Sequence, residues 1–333
     1  MAFPNTSVTD IIATTIENRS KKIADNVSNN NALLARLKSR GKSRAISGGR
    51  IIYEELSFAM NQNAGFYSGY DLLPVAAQDV ISAAQFNIKQ AACPVVISGL
   101  EMLQNAGSEQ MIDLLTSRID VAEATMQNLI ASAIYGSGTT GSGKQIDGLL
   151  SAVPATSTNT YGNINRATAG NDFWKNKTGT SSYAVGTMLA DMNGFWAGMV
   201  RGTDRPDLIV MDNVTWSRYI GLLQAQQRWA SADTTAGAGF PSVKFMDADV
   251  VLDGGLTYPG TLQGASMTRA PTNVAYFLNT KYLFFRPHSQ RNFVSLSPNK
   301  RYSINQDAEV QILAWAGNLT CSNSALQGIY TWT

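Results

Sequence analysis

The strongest periodic signal in the 333-residue chain is an apolar stripe between Gly107 and Gly136. Its members step alternately by three and four positions: Ile112, Leu115, Ile119, Ala122, Met126, Leu129 and Ala133. Such steps place the side chains on one face of an α-helix, which Ser108 can cap and Gly136 can end. A helix of this length runs roughly 40 Å. A coiled-coil seam would need more heptads and a regular charge code beside them, so we predict a long helix packed on a sheet.

A second periodic segment begins at Ile51 and has a period of two, which is typical of a β-strand. One face comprises Ile52, Glu54, Leu56, Phe58 and Met60. A returning strand over 80–92 follows a tip at about 61–74, so we predict a long two-stranded hairpin. The tip holds Phe66, Tyr67 and Tyr70 among glycines. A lone hairpin is marginal in water, so the rings either contact a partner surface or pack on their own domain.

The rest of the chain mixes helix and strand signals. We predict a helix over 182–200, a short buried strand over 206–211 and a second helix from Asp212 or Asn213 to about Trp229. Strands over 275–278, 282–285 and 309–320 dominate the last hundred residues. This combination predicts a mixed α+β architecture.

Charge is unevenly distributed along the chain. Residues 1–50 carry nine basic and three acidic side chains, whereas the whole chain has a net charge of only +2. We predict short helices over 8–24 and 32–39 in this basic segment, and its central basic residues are Arg36, Lys38, Arg40, Lys42 and Arg44. The segment is either a solvated tail or a strap that lies on neighbouring subunits or near nucleic acid.

Several short motifs resemble catalytic or binding sites without completing one. The stretch from Gly138 to Lys144 nearly matches a phosphate-binding loop, but Gln145 replaces the hydroxyl residue and the stretch follows a predicted helix. The single histidine, His288, has no nucleophile motif near it and is expected to make a structural hydrogen bond. Glu54 and Glu55 point to opposite faces of a strand. We therefore predict no enzyme, no catalytic residues, no cofactor and no metal.

A calcium loop is excluded in the same way. The acidic run from Asp247 to Gly254 has Val251 in place of a third ligand and no closing glutamate. We predict a strand end and a turn there.

The two cysteines, Cys93 and Cys321, are too few for a disulfide framework and suggest a reducing cytoplasm. They either pack as small apolar residues or form intersubunit disulfides after release from the cell. No 18-residue apolar run is present, so we expect no membrane span and no membrane partner. Charged residues make up 15% of the chain, against about 25% in typical proteins. A charge-poor surface favours an assembly subunit.

Three segments carry a resemblance to a known family. They are AAQFNIKQAACPVVISG at 83–99, Tyr161-Gly-Asn-Ile-Asn-Arg166 with Phe173-Trp174, and Tyr276-Phe-Leu-Asn-Thr280 ahead of Tyr282. With the order of parts, they make the chain similar to the major capsid proteins of tailed bacteriophages, which have the α+β Hong Kong 97-type fold. The likeness covers nearly the whole chain.

The resemblance implies a division of the chain into five parts. These are a basic N-terminal arm (1–50), an extended hairpin loop (51–98), a peripheral domain with a spine helix at about 107–135 and a crossover (99–182), an axial domain (183–270), and strands returning to the peripheral domain (271–333). The implied assembly contacts are the tip aromatics Phe66, Tyr67 and Tyr70 and the basic residues Arg36, Lys38, Arg40, Lys42 and Arg44.

The resemblance also implies a structural function. Hexamers and pentamers would close an icosahedral shell around double-stranded DNA in a virion assembled in the bacterial host cytoplasm. The implied partners are further copies of the chain, a portal protein, a separate scaffolding protein, and a decoration or linking protein. Some relatives link subunits covalently through a lysine at the hairpin tip, but no lysine lies between Arg50 and Lys89, so we expect noncovalent contacts.

Two alternatives to the capsid function stay open at this point. The first is an encapsulin-like nanocompartment shell, which would enclose protein cargo. The second is a nucleotide-binding enzyme that uses Gly138 to Lys144.

Overall fold

A computed structural model describes residues 31–104, 114–224, 242–254, 261–262, 265–266, 269–295, 301–302 and 307–333. The helices are α1 (Ala32–Ser39), α2 (Gly99–Gln104), α3 (Leu114–Ala133), α4 (Thr140–Gly143), α5 (Leu149–Ala152), α6 (Met188–Ala197) and α7 (Asn213–Gln224), with 3-10 turns at Asn171–Trp174 and Thr280–Tyr282. The strands are β1 (Ile51–Ser57), β2 (Ile81–Asn87), β3 (Lys89–Ser98), β4 (Thr160–Tyr161), β5 (Ile164–Asn165), β6 (Lys177–Ser181), β7 (Leu208–Met211), β8 (Ser242–Phe245), β9 (Ala248–Leu252), β10 (Thr261–Leu262), β11 (Ala265–Ser266), β12 (Val274–Leu278), β13 (Leu283–Pro287), β14 (Val294–Ser295), β15 (Arg301–Tyr302), β16 (Ala308–Cys321) and β17 (Gly328–Trp332). The predicted α+β composition is therefore confirmed.

A six-stranded sheet has the order β6-β17-β12-β7-β9-β8. The pairs β17–β6 and β7–β9 are parallel, and the other pairs are antiparallel. Every residue of β7 and β12 is buried, because both faces of the sheet are covered. Alternate side chains of these strands enter two separate apolar clusters, so the sheet lies between two cores.

The second large sheet is organised around β16, which runs for 14 residues. β16 pairs with β13, β14, β15 and, over ten residues, with β3. The segment 42–46 extends this sheet beside β13, since the Arg44 N–H donates to the Phe285 carbonyl and the Phe285 N–H donates to the Lys42 carbonyl, each at 3.0 Å. This segment fixes the chain just before the hairpin.

The predicted long helix is present as α3, which packs against β3. Ala122, Met126 and Ala133 of the predicted stripe are buried, together with Ile130. The helix ends at Ala133, just before Gly136. The start of the predicted stripe, including Ser108, lies outside the described residues.

Two element boundaries differ from the predictions. The returning strand predicted over 80–92 is wrong as a single strand: β2 ends at Asn87 and pairs with β1, whereas β3 begins at Lys89 and pairs with β16. The helix predicted from 182 begins only at Met188. The Tyr183 N–H instead donates to the Thr333 carbonyl at 3.0 Å, so sheet pairing overrides helix formation there.

The predicted strand–helix unit is confirmed. β7 is buried throughout, and Asp212 caps α7 by accepting hydrogen bonds from the N–H groups of Val214 (2.9 Å) and Thr215 (3.3 Å). The structure divides the last segment differently from the implied domains. β12 and β17 pair with strands of the six-stranded sheet, while β13 to β16 form the other sheet.

None of the helices in the described part of the chain has the length and apolarity that a bilayer span requires.

Candidate assembly surface

The hairpin projects one face toward the body of the protein. β1 and β2 pair from Ile51 opposite Asn87 to Ser57 opposite Ile81. Ile52, Glu54 and Leu56 are buried, whereas the residues between them are exposed. The face predicted from Ile52 to Met60 is therefore buried as far as Leu56, including its one carboxylate, whereas β1 ends at Ser57 and Met60 is exposed.

Glu54 fastens the hairpin to the sheet below it. Its Oε1 atom accepts hydrogen bonds from Arg286 Nε (2.9 Å), Arg286 Nη2 (2.7 Å) and Thr320 Oγ1 (2.8 Å). The Glu54 side chain is only 7% exposed, so this ion pair is largely shielded from water. The sequence analysis did not predict this ion pair. The available signal was a charged residue, Glu54, on the apolar face of a predicted strand.

The base of the hairpin packs against one of the capsid-like segments, Tyr161 to Arg166 with Phe173 and Trp174, which we call the linker segment. Phe86 of β2 packs edge-on against Tyr161 (ring centroids 5.0 Å apart), and Tyr161 stacks on Trp174 (6.0 Å). The Gly162 carbonyl accepts the Gln85 N–H at 2.9 Å. Gly162 has φ +59°, and a Cβ atom there would lie 2.9 Å from the Ala84 Cβ. Only glycine allows this close approach without strain.

The buried side chain of Arg166 stabilises the linker segment through hydrogen bonds. The side chain is fully buried and makes five hydrogen bonds. Its acceptors are the carbonyls of Trp174, Ser151 and Ala152, the Asn159 Oδ1 and the Ser324 Oγ, at 2.5–3.3 Å. Burial lowers the pKa of Arg166, because removal from water disfavours the charged form of the guanidinium.

The hairpin tip, residues 58–80, contains neither helix nor strand. Asn63 Nδ2 donates to the Ala76 carbonyl at 2.5 Å, and Gln78 Oε1 accepts the Gln62 N–H at 3.0 Å, so side chains tie its two limbs together. Seven large apolar side chains in the tip are more than half exposed: Met60, Phe66, Tyr67, Tyr70, Leu72, Leu73 and Val75. The rings of Phe66 and Tyr70 are fully exposed. The alternative that these rings pack on their own domain is therefore wrong.

The predicted basic residues lie on the body. Arg36 forms an ion pair with Asp249, and Arg40 forms one with Asp207. Lys38 is exposed. Lys42 and Arg44 each lie 5.2 Å from the centroid of the Phe284 ring. No hydrogen bond, ion pair or ring contact among the described residues joins these five basic side chains to Phe66, Tyr67 or Tyr70.

One helix of the predicted arm, α1, is part of the core. Helix α1 matches the predicted 32–39, and its Leu33 and Leu37 are fully buried. Asn31 caps the helix by accepting the Leu34 N–H at 2.9 Å, and its Nδ2 donates to the Ala131 carbonyl at 3.2 Å. The predicted helix over 8–24 lies outside the described residues.

The near-match to a phosphate-binding loop does not have the geometry of one. Gly141 and Ser142 have left-handed φ angles inside a single helical turn that follows α3. At Gly138, a Cβ atom would lie 2.6 Å from the Asp147 Oδ1, so a carboxylate occupies the space beside the loop. A negative charge there would repel a phosphate.

The other candidate sites also have structural roles. His288 Nδ1 accepts the Gln290 N–H at 3.2 Å, as expected for a structural histidine. Asp247, Asp249 and Asp253 pair with three different arginines, namely Arg205, Arg36 and Arg269. Within the described ranges, no group of three or more His, Cys, Asp or Glu side chains could hold a metal ion.

The two cysteines differ in environment. Cys321 is fully buried, and burial raises the pKa of its thiol to about 12. Cys93 is half-buried, and burial also raises the pKa of its thiol. An intersubunit disulfide through Cys321 would require the subunit to open, so only Cys93 remains a candidate.

Comparisons with known proteins agree with the predicted fold. No family model and no curated protein matches the chain. Among solved structures, the chain is similar to the cyanophage A-1(L) capsid asymmetric unit, with TM-score 0.65 and 14% identity over 94% of this chain and 95% of the other. It is also similar to the capsid of a native GTA particle, with TM-score 0.58 and 13% identity over 90% of each chain. A chain from Mycobacterium phage Bobi matches with TM-score 0.53 and 11% identity over 88% of this chain and 89% of the other.

Each of these matches extends over most of both chains. At identities this low, the TM-scores and the coverage show similarity of fold alone. The predicted α+β phage-capsid fold is thereby confirmed, and the chain has the fold of phage capsid proteins.

Proposed function

We propose that the chain is the major capsid protein of a tailed phage, whose copies associate as hexamers and pentamers into an icosahedral shell around double-stranded DNA. The observation that carries the proposal is the hairpin tip, which exposes seven large apolar side chains. Contiguous exposed apolar surface of this kind is typical of a protein–protein contact. A shell subunit needs such a surface, whereas on a protein that stays monomeric it would promote nonspecific association.

The base of the hairpin supports the same proposal. The Glu54–Arg286 ion pair and the Phe86–Tyr161–Trp174 ring stack hold the two strands in one orientation on the body. A tip that is presented in a fixed direction loses less conformational freedom on binding a neighbour. The capsid fold and the low fraction of charged residues agree with a surface that is extensively buried in an assembly.

The proposal is tested by replacing Phe66, Tyr67 and Tyr70 with serine. We expect the assembled fraction to fall by about tenfold or more, because aromatic anchors dominate interface energies. The melting temperature should stay unchanged, because the three rings are exposed in the subunit. Sedimentation velocity and negative-stain microscopy measure assembly, and calorimetry measures folding.

A conservative variant serves as the control. Phe66→Tyr, Tyr67→Phe and Tyr70→Phe keep the rings and should keep assembly.

Nuclease-protected DNA inside wild-type particles is the expected result for a capsid. Shells that contain protein and no protected DNA would instead indicate a nanocompartment, and unchanged assembly of the serine variant would contradict the role of the tip.

The proposal extends to partners and location. A portal protein at one vertex, a separate scaffolding protein during assembly, and a decoration or linking protein on the surface are the partners that such a subunit would meet. The assembled protein would be located in the virion, after assembly in the cytoplasm of a bacterial host.

A further inference from the structure

Three cations surround one phenyl ring at the edge of the β16 sheet. The side chains of Lys42, Arg44 and Arg286 lie 5.2, 5.2 and 4.9 Å from the centroid of the Phe284 ring. We call these four residues the cationic patch. Such contacts orient the cations, since the ring face attracts positive charge.

The patch carries more positive than negative charge. Glu54 pairs with Arg286, Asp207 pairs with Arg40, and Asp204 pairs with Lys281 at 2.9 Å. Lys42 Nζ donates to the Lys281 carbonyl at 3.1 Å. No ion pair within the described residues joins Lys42 or Arg44 to a carboxylate. Burial and the charges of Arg44, Lys281 and Arg40 lower the pKa of Lys42, as expected where cations are in excess.

The backbone presents Lys42 and Arg44 on the same side. Residues 42–46 pair with β13, as Ser43 bridges Phe285 and Ile46 bridges His288. Alternate residues of such a segment point to the same face, so the two unneutralised cations lie side by side. The patch is therefore a fixed surface and not a pair of free side chains.

The hairpin tip has the complementary composition. No lysine or arginine lies between Ile51 and Ile88, and the only charged residues of the tip are Asp71 and Asp79. Both are exposed. Asp71 Oδ2 accepts the Ser68 N–H at 2.8 Å, and Asp71 follows the exposed Tyr70 in the chain.

We infer that the cationic patch of one copy receives the hairpin tip of a second copy, with Asp71 and Asp79 opposite Lys42 and Arg44. This inference rests on the proposed function, because it names the receiving surface for the tip. Two carboxylates match two unneutralised cations, and the exposed ring of Tyr70, next to Asp71 in the chain, can stack on the guanidinium of Arg44. Charge pairs at such a contact set register and orientation more than affinity.

Nucleic acid fits the patch less well. A phosphate chain is bound by an extended run of cations. Here Glu54, Asp204 and Asp207 each pair with a neighbouring cation. Within the described residues, Lys42 and Arg44 are therefore the two patch cations without a carboxylate partner, which is too short a run for a phosphate chain. A protein segment with two discrete charges is the better match.

Charge reversal on each side tests the inference. We compare the full-length wild type with Lys42→Glu/Arg44→Glu, with Asp71→Lys/Asp79→Lys, and with the fourfold exchange of both pairs. Sedimentation velocity at about 50 mM salt measures the assembled fraction, because surface charges are weakly screened there. We expect each double variant to reduce the assembled fraction by about tenfold or more, since like charges then face each other. The fourfold exchange should restore assembly.

The controls distinguish loss of the contact from misfolding and from a change of net charge. Lys144→Glu/Lys175→Glu makes the same change of net charge at side chains remote from β13 along the chain and should assemble normally. Melting temperatures of all variants should match the wild type. If a glutamate variant misfolds, Lys42→Gln/Arg44→Gln removes the same charges without adding new ones and should weaken assembly less strongly.

Three results would overturn the inference. Normal assembly of either double variant would do so, as would a fourfold exchange that fails to restore assembly. Normal assembly of Lys42→Glu/Arg44→Glu with loss of nuclease-protected DNA would assign the patch to nucleic acid. A wild type that associates neither alone nor when co-expressed with its scaffolding protein would instead contradict the proposed function itself, so the two failures are distinguishable.

Discussion

Arg166 shows how a single residue supports the linker segment at the base of the hairpin. It is a fully buried cation whose five hydrogen bonds all go to neutral acceptors. Lysine has three donors in place of five, and a buried acceptor without a donor costs about 1–3 kcal/mol. We therefore expect Arg166→Lys to lower the free energy of unfolding by about 3 kcal/mol in urea titrations.

A matched substitution tests whether this loss is local to the buried site. Arg50→Lys makes the same chemical change at an exposed position and should leave the free energy of unfolding unchanged. Equal effects of the two substitutions would contradict the role given to Arg166. The sequence placed Arg166 in a family-like segment, yet its burial was not predictable, because arginines are mostly exposed.

At the scale of elements, the contact between the hairpin and the linker segment depends on Gly162. Both Gly162 and Gly170 have positive φ, but a Cβ atom meets Ala84 and Phe86 only at Gly162. We expect Gly170→Ala to cost about 1 kcal/mol from backbone strain. Gly162→Ala should cost about 1–3 kcal/mol more, because the added methyl overpacks the contact.

Urea unfolding measures both substitutions, and limited proteolysis of the tip reports whether the hairpin has loosened. Faster cleavage within residues 58–80 is expected for Gly162→Ala alone. Equal losses in the free energy of unfolding for the two substitutions would show that the close approach at Gly162 contributes nothing to stability.

The elements themselves were predictable where one local signal was strong. The period of two identified the buried face of β1, including Glu54, and the steps of three and four identified α3. The break at Ile88 was not predictable, because the pairing of β3 with β16 joins residues more than 200 positions apart. The partners of Glu54 were not predictable for the same reason, because Arg286 and Thr320 are 232 and 266 positions away in the chain.

At the scale of the whole molecule, the six-stranded sheet connects the two cores. Phe277 of β12 belongs to the cluster that contains α6, whereas its neighbours Tyr276 and Leu278 belong to the cluster that contains α1 and the hairpin base. The segments 183–270 and 271–333 both contribute strands to this sheet. Neither core can therefore be exposed without breaking strands that the other one uses.

This sharing predicts one cooperative unfolding transition. Phe277→Ala and Leu278→Ala remove fully buried side chains from opposite faces of the same strand, and each should cost about 2–5 kcal/mol. Both should lower a single melting transition, with equal calorimetric and van't Hoff enthalpies. A second transition that responds to only one of the two substitutions would mean that the cores unfold separately.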